Sequence, residues 1–411
     1  MSPGMFAGRL EEQLTLEKIL HQTKLGNPQH FLIDGERGIG KTSLLYYLQS
    51  VAEGKIATPE NLRYNFVVLN LALEPTTSYD DIVRKVGTEL RRVVAERCIP
   101  EEYLKTAWDF LKRWEVAGVK YNRSSTEVPA VELLNELAGS IEGTLRKLSS
   151  IDGILVLIDE ADNPPTSAGL GRFVKLLTER LGSIGCEKTA VGLAGQTGVV
   201  RKLAKSHPSA PRLLQILTLD PLSVDERRSV ITLGLKAAKE YNAVDVTIDG
   251  DAADWICEMS EGYPHFVQQF AYSAFDADAD NTIDLKDVLR GANSQNGAFH
   301  QLGQKYFHPM YFERIMSEDY RAVLRAMSEH LDAWVTKQQV RKATALKGSV
   351  LNDAIKALKE RHIIIAKPGC QGVYRLPSRS FAVWIKAYSQ QPAPETGQAT
   401  SVTAEKPSAG A

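Results

Sequence analysis

Residues Gly35-Glu36-Arg37-Gly38-Ile39-Gly40-Lys41-Thr42 have the spacing GxxxxGK[ST]. Glycines at such positions let the backbone turn so tightly that successive amides converge on a phosphate chain. The apolar run HFLID precedes the loop, and TSLLYYLQSV with helical periodicity follows it. That context makes strand, loop and helix, and the N-terminus of the helix favours negative charge. Lys41 would then neutralise the β- and γ-phosphates, and the Thr42 hydroxyl, with Ser43 next in the same turn, would serve Mg2+ and phosphate oxygens. The expected ligand is ATP with Mg2+.

A second run, Ile154-Leu155-Val156-Leu157-Ile158-Asp159-Glu160, ends a continuous apolar segment in two acids. Asp159 is placed to hold Mg2+, and Glu160 to orient and deprotonate an attacking water. The plain alternative is a strand followed by an acidic helix cap. Gln196 or Thr197, at the end of TAVGLAGQT, would orient the same water, or would only cap the next helix. Arg212, before the last apolar run, is the candidate to reach a neighbouring subunit's nucleotide; Arg201 is a weaker one. An arginine there also fits a surface salt bridge.

These residues need strands that end together. HFLID (30–34), YNFVVLNLAL (64–73), GILVLID (153–159), TAVGLA (189–194) and LLQIL (213–217) alternate with helical segments, three of them between Ser78 and about Ser149. Alternation of this kind means a parallel α/β sheet with right-handed crossovers. From Ser223 the pattern is helical only, over about 223–242, 250–260, 264–275 and 284–301, and Ser223 with Glu226 reads as a capping box. The segment from Gln390 has almost no large apolar residues and reads as disordered.

The chain has 411 residues, 43% hydrophobic and 24% charged. Composition of this sort excludes a wholly disordered or fibrous chain, and about 150 residues per domain allows two or three domains. No run is long and apolar enough for a transmembrane helix, and the N-terminus lacks a signal-peptide pattern. Cys98, Cys186, Cys257 and Cys370 form no CxxC pair, which fits a reducing cytoplasm without a zinc cluster.

The net charge of -1 conceals an asymmetry. Residues 1–302 carry a net -8 and residues 303–389 a net +8. The basic segment reads as three helices, over Ser317–His330, Thr336–Ala343 and Ser349–Arg361. A hairpin of HIIIA and VYRL then closes about a Lys367–Gly372 turn. That is the pattern of a winged helix-turn-helix, whose third helix enters a major groove while the hairpin lies along phosphates. Lys337, Arg341, Lys342, Lys347, Lys356, Lys359, Lys367 and Arg375 are its basic groups, and double-stranded DNA is the expected partner. A winged helix used for protein contacts is the alternative. The acids of Asp276–Asp287 are spaced as in a Ca2+ loop, but Asn281 stands where such a loop has Gly, and Asp287 where it has Glu. The segment is read as an acidic turn.

Taken in order, these elements resemble the AAA+ and STAND superfamily of P-loop ATPases, and within it the origin-recognition-like ATPases of bacteria and archaea. Phe6-Ala7-Gly8-Arg9 with Glu11 and Glu12 resembles the FxGRxxE box, which in the family packs beside adenine. GERGIGKT resembles the Walker A motif and ILVLIDEAD the Walker B motif. Leu219–Ser223 resembles the hinge into the lid, and Gly262-Tyr263-Pro264-His265 the GxP motif that opens a lid helix. Initiators usually place a sensor-2 arginine there; GYPHFVQQF has none, and His265 stands near in its place. The resemblance implies an α/β P-loop NTPase with a parallel five-stranded sheet (1–221), a helical lid (222–302), a winged helix (303–389) and a tail (390–411). It implies contacts to nucleotide from Arg9 and Pro264 besides the loop, and assembly into a homo-oligomer or with a partner protein, away from membranes. Two functions stay open: an ATPase that couples nucleotide state to DNA, and a signalling scaffold that binds ATP with little turnover.

Overall fold

The computed structural model describes residues 6–58, 61–96, 130–148 and 150–389. The middle one of the three helices expected between Ser78 and Ser149, Cys98 and the tail from Gln390 lie outside the described residues. Two compact units divide the chain, Met1–Ala298 and Phe299–Ala411.

In the first unit five strands form one parallel sheet: β1 His30–Gly35, β2 Phe66–Ala72, β3 Gly153–Asp159, β4 Thr189–Gln196 and β5 Leu214–Leu219. Their order is β2-β3-β4-β1-β5. Side chains alternate between two faces along each strand. Phe31, Ile33, Leu155 and Leu157 pack with Leu16, Ile19 and Leu20 of the helix Leu10–Lys24 and with Leu44, Leu45 and Leu48 of the helix Lys41–Ala52. Leu32, Ile154, Val156 and Ile158 pack on the other side with the helices Tyr79–Glu96, Ala130–Lys147 and Leu170–Ser183. A sheet covered on both faces needs apolar residues at every position, and this is why GILVLID shows no alternation. Gly192 makes room for Phe31, because a Cβ there would lie 2.1 Å from its Cζ.

β1 lies between β4 and β5, so strand order reverses around it. At such a switch point the helices after neighbouring strands leave on opposite faces and open a crevice at the carboxyl ends. Gly35 there sits beside Gln196 on one side and Leu219 on the other.

Helices Val224–Asn242, Gly250–Ser260, Pro264–Ala277 and Leu285–Asn293 follow in the same compact unit. The Ser223–Glu226 capping box is present with both of its bonds. β6 Thr247–Ile248 and β7 Thr282–Ile283 form a small parallel pair. The single helix expected over 284–301 is broken after Asn293 and resumes at Ala298. Ser294 Oγ donates to the Gly291 carbonyl at 3.2 Å. The Gly297 backbone comes so close that a Cβ would lie 2.1 Å from the same oxygen. In the Asp276–Asp287 stretch Asp278 and Asp280 accept from turn amides, and Asp284 caps the next helix, accepting from the amides of Lys286 at 2.7 Å and Asp287 at 2.9 Å. Among the described residues no group of His, Cys, Asp or Glu could hold a metal by itself.

The second unit has helices Glu318–Ser328, Lys337–Thr344, Gly348–Glu360 and Arg379–Tyr388, with β8 Val335–Thr336, β9 Ile365–Ala366 and β10 Val373–Arg375. The elements run helix, strand, helix, helix, strand, strand and a last helix, whereas the sequence pattern predicts three helices and a hairpin without the strand Val335–Thr336. The sheet has three strands, β8-β10-β9, rather than the two of a simple hairpin. The two residues Val335–Thr336 are too short a strand to show a period. Thr336 caps its helix through a capping box with Gln339. The next helix begins at Gly348 with Lys347 as its cap, not at Ser349. Trp384 stacks on Phe381 and meets Phe307 and Tyr311 in an aromatic core. Among the described residues no helix is long and apolar enough to cross a membrane.

Candidate functional site

The loop after β1 turns through Gly38 (φ 83°) and Gly40 (φ 103°), values that an L side chain resists. Gly40 is also the cap of the helix that starts at Lys41. Lys41 Nζ donates to the carbonyls of Gly35 at 2.9 Å and Glu36 at 2.8 Å, so its cation lies over the loop. Thr42 Oγ1 donates to Asp159 Oδ2 at 2.6 Å. That bond brings the two sequence motifs into one site.

Glu160 follows with φ 53°, and its amide donates to Asp159 Oδ1 at 2.8 Å. The turn separates the two carboxylates, Asp159 towards Thr42 and Glu160 towards the cavity rim. Partial burial, then the like charges of Asp159 and Asp162, push the Glu160 carboxyl above the usual range; Lys41 and Arg37 oppose this. Burial pulls the Lys41 ammonium down, against Asp162, Glu160, Asp159 and Asp34. Asp34, with Oδ1 buried and unpartnered, is raised by burial. The Ala161 amide donates to the Ala194 carbonyl and the Gln196 amide to Asp162 Oδ1, each at 2.8 Å, which fixes the ends of β3 and β4 together.

A cavity of about 600 Å3 lies over the loop. Arg9, Arg37, Gly38, Ile39, Gly40, Lys41, Thr42, Ser43, Glu160, Gln196 and Pro264 line it, as do Phe6 and His265. Gly35, Glu36 and Asp159 stand behind that lining and hold Lys41 and Thr42. Of Gln196 and Thr197, only Gln196 faces the cavity. Arg212 is exposed in a short turn, Ala210–Leu213, and neither it nor Arg201 lines the cavity. Asn163 and Gln268 also line it and were not singled out from the sequence. Asn163 is held by its side-chain bond to the Leu73 carbonyl at 3.1 Å, a contact that no local spacing reveals.

Three contacts join the loop to the lid. Tyr263 Oη donates to Glu36 Oε2. Pro264 Cγ would lie 3.4 Å from a Cβ on Gly40. The Arg9 amide donates to Glu226 Oε1 at 2.6 Å, while Arg9 Nη2 donates to the Ile39 carbonyl at 3.1 Å. Burial works against the charge of Glu226, and the bonds from Arg9 and Ser223 overcome it and hold the carboxyl below its usual range. Arg9 is itself buried, and it spends its guanidinium on Ile39 and Glu12. Phe6 stacks on Tyr47 with ring centroids 5.1 Å apart, an apolar wall on which a base can lie.

No family model matches the chain, and no curated protein matches it by sequence. Among solved structures, the ORC2 protein of Aeropyrum pernix, determined as ADPNP-ADP complexes, is 14% identical; the match covers 94% of each chain with a TM-score of 0.55. The ORC1 protein of the same organism, determined in complex with DNA, is 13% identical over 94% of each chain, with a TM-score of 0.43. The chain shares its fold, a five-stranded parallel sheet with flanking helices, with that ORC2 protein. The cavity lies where β1, β3 and β4 end, and those three ends carry the loop, Asp159 with Glu160, and Gln196.

Proposed function

We propose that the protein binds ATP with Mg2+ in this cavity, hydrolyses it, and couples the nucleotide state to engagement of duplex DNA by its second unit. The Thr42–Asp159 hydrogen bond carries the reading, because it joins groups 117 residues apart into one oxygen-donor pair. A hydroxyl and a carboxylate 2.6 Å apart are hard oxygen donors of the kind that would hold Mg2+. Held by Thr42 and Asp159, Mg2+ would offset the charge of the β- and γ-phosphates. The loop amides and Lys41 hold the phosphate chain. Gln196 orients a water opposite the bridging oxygen. Glu160 takes its proton as the new oxygen–phosphorus bond forms and the bond to ADP breaks. A carboxyl with a raised pKa holds that proton better than an ordinary glutamate does.

The DNA reading rests on the second unit. Arg341, Lys342, Lys347, Lys356 and Lys359 are exposed, and none has an ion-pair partner among the described residues. Lys356 and Lys359 stand on the outer face of Gly348–Glu360, whose inner face buries Leu351, Ile355 and Leu358. The full chain with ATP is expected to bind a labelled duplex with log K falling by ~0.9 for each phosphate contact per log unit of salt. Replacing Lys356 and Lys359 by Ala should flatten that slope by nearly two contacts. An unchanged slope removes this helix from the interface, and no binding at physiological salt removes DNA from the proposal.

Arg212 is proposed to act on the nucleotide of a neighbouring copy. Turnover per molecule should then rise with protein concentration, and Arg212→Ala mixed with Lys41→Ala should recover activity that neither has alone. A concentration-independent rate with ATP rejects this role. One observation favours the second reading, a switch that binds ATP with little turnover. The lid gives the cavity Pro264, His265 and Gln268 but no lysine or arginine from its third helix. Steady-state turnover with and without duplex DNA separates the two.

A further inference from the structure

A second cavity, of about 380 Å3, shares no lining residue with the first. Tyr79, Thr166, Ser167, Arg172, Lys205 and Ser206 line it, and no carboxylate does. They come from three places in the fold: the start of the helix Tyr79–Glu96, the turn and helix that follow Pro165, and the end of the helix Val199–Ser206. The Arg172 guanidinium stacks 5.7 Å from the centre of the Tyr79 ring. Its amide donates to Ser206 Oγ at 3.2 Å. Gly169, with φ 70°, lets the ring approach, since a Cβ there would lie 3.1 Å from Tyr79 Cδ2. The ring is held on its other side by the edge of Phe173 at 6.3 Å. Neither Arg172 nor Lys205 has an ion-pair partner among the described residues, and the Tyr79 hydroxyl is buried without a hydrogen-bond partner.

Two cations and four hydroxyls line the depression with no acid among them, Asp80 acting on Tyr79 only from behind that lining. Such a lining is complementary to a compact anion that accepts several hydrogen bonds. A buried hydroxyl without a partner loses the water it would bond, and an oxygen acceptor restores that bond. Burial raises the pKa of Tyr79, so its phenol stays protonated and donates. We propose that this cavity binds a phosphate group, with Arg172 and Lys205 as counter-ions and Tyr79 and the serine and threonine hydroxyls as donors. The group is either free phosphate or a backbone phosphate of nucleic acid. The site shares no residue with the first cavity, and its test rests on the nucleotide reading only to block that cavity. Failure of the analogue to bind counts against the nucleotide reading, and the loss of broadening in the double variant still decides this site.

The test uses the full chain with its first cavity saturated by Mg2+ and a non-hydrolysable ATP analogue. Inorganic phosphate is titrated and its phosphorus resonance is followed. Wild type is expected to broaden the line, and Arg172→Gln with Lys205→Gln is expected to abolish the broadening while the analogue still binds. Tyr79→Phe keeps the ring and removes one donor, and should weaken phosphate by about five-fold, the worth of one hydrogen bond. No broadening by wild type, or equal broadening by the double variant, overturns the proposal. A labelled duplex then distinguishes the sources. If backbone phosphate is the ligand, the double variant lowers the salt slope by nearly two contacts. If the slope is unchanged while phosphate binding is lost, the ligand is free phosphate. A wild type that binds phosphate but no duplex removes the DNA reading and leaves this site standing.

Discussion

Lys41→Ala should lower ATP affinity at least about 100-fold, since a charge-assisted hydrogen bond is worth roughly 1.5–3 kcal/mol and the ammonium makes more than one to the phosphates. The effect is large because the cation is held in place before nucleotide arrives. Its bonds to the Gly35 and Glu36 carbonyls set it over the loop, where it has lost part of its hydration. Alanine removes the charge and also leaves those two carbonyls without their donor. Calorimetric titration with ATP and Mg2+ checks this, with the melting temperature as a control for folding. An affinity within a few-fold of wild type would mean that the phosphates lie elsewhere.

Glu160→Gln should leave ATP binding intact and slow hydrolysis by about 100-fold or more, the range for loss of a general base. An amide is nearly isosteric but cannot take the proton. The Asp159–Thr42 pair is untouched by the change, so Mg2+ and nucleotide should still bind. The pH dependence follows from sign. Glu160 acts as the carboxylate, and its pKa is raised, so the active form is lost as pH falls through a value above the ordinary glutamate range. The acid limb of kcat against pH should therefore lie higher than for an unperturbed glutamate, and Glu160→Gln should erase it from the residual rate. Wild-type turnover in the variant would exclude Glu160 as the base.

The sequence made β1, β3 and the phosphate loop readable because their signals are local. A buried parallel strand is apolar throughout, and a glycine-rich turn must sit between strand and helix. Strand ends were less clear: TAVGLA runs on through Gly195 and Gln196, since a small glycine continues a strand as readily as it ends one. The two-residue β8 depends on its pairing with Val373 and Tyr374, far along the chain, while the break at Ser294–Gly297 comes from a close local approach to the Gly291 carbonyl that no residue pattern announces. Within the site, the P-loop, Asp159 and Glu160 carry motifs. Asn163, Gln268 and the Tyr263–Glu36 bond do not: Asn163 and Tyr263 are placed by contacts across the fold, and Gln268 is a helix residue of ordinary type. Tyr263 read as part of a lid motif, while its partner occupies one of the variable positions of the loop.

Arg9 has a consequence for the order in which the molecule is made. Its amide waits for Glu226, 217 residues later. At roughly 5–20 residues per second on a ribosome, some 10–40 s pass between the two. Through that interval the sheet can assemble around the loop, but one wall of the cavity has not yet been synthesised. A nascent chain therefore lacks the lid wall of the cavity until residues 224–268 emerge, and a ligand that touches both loop and lid can stabilise only the finished first unit.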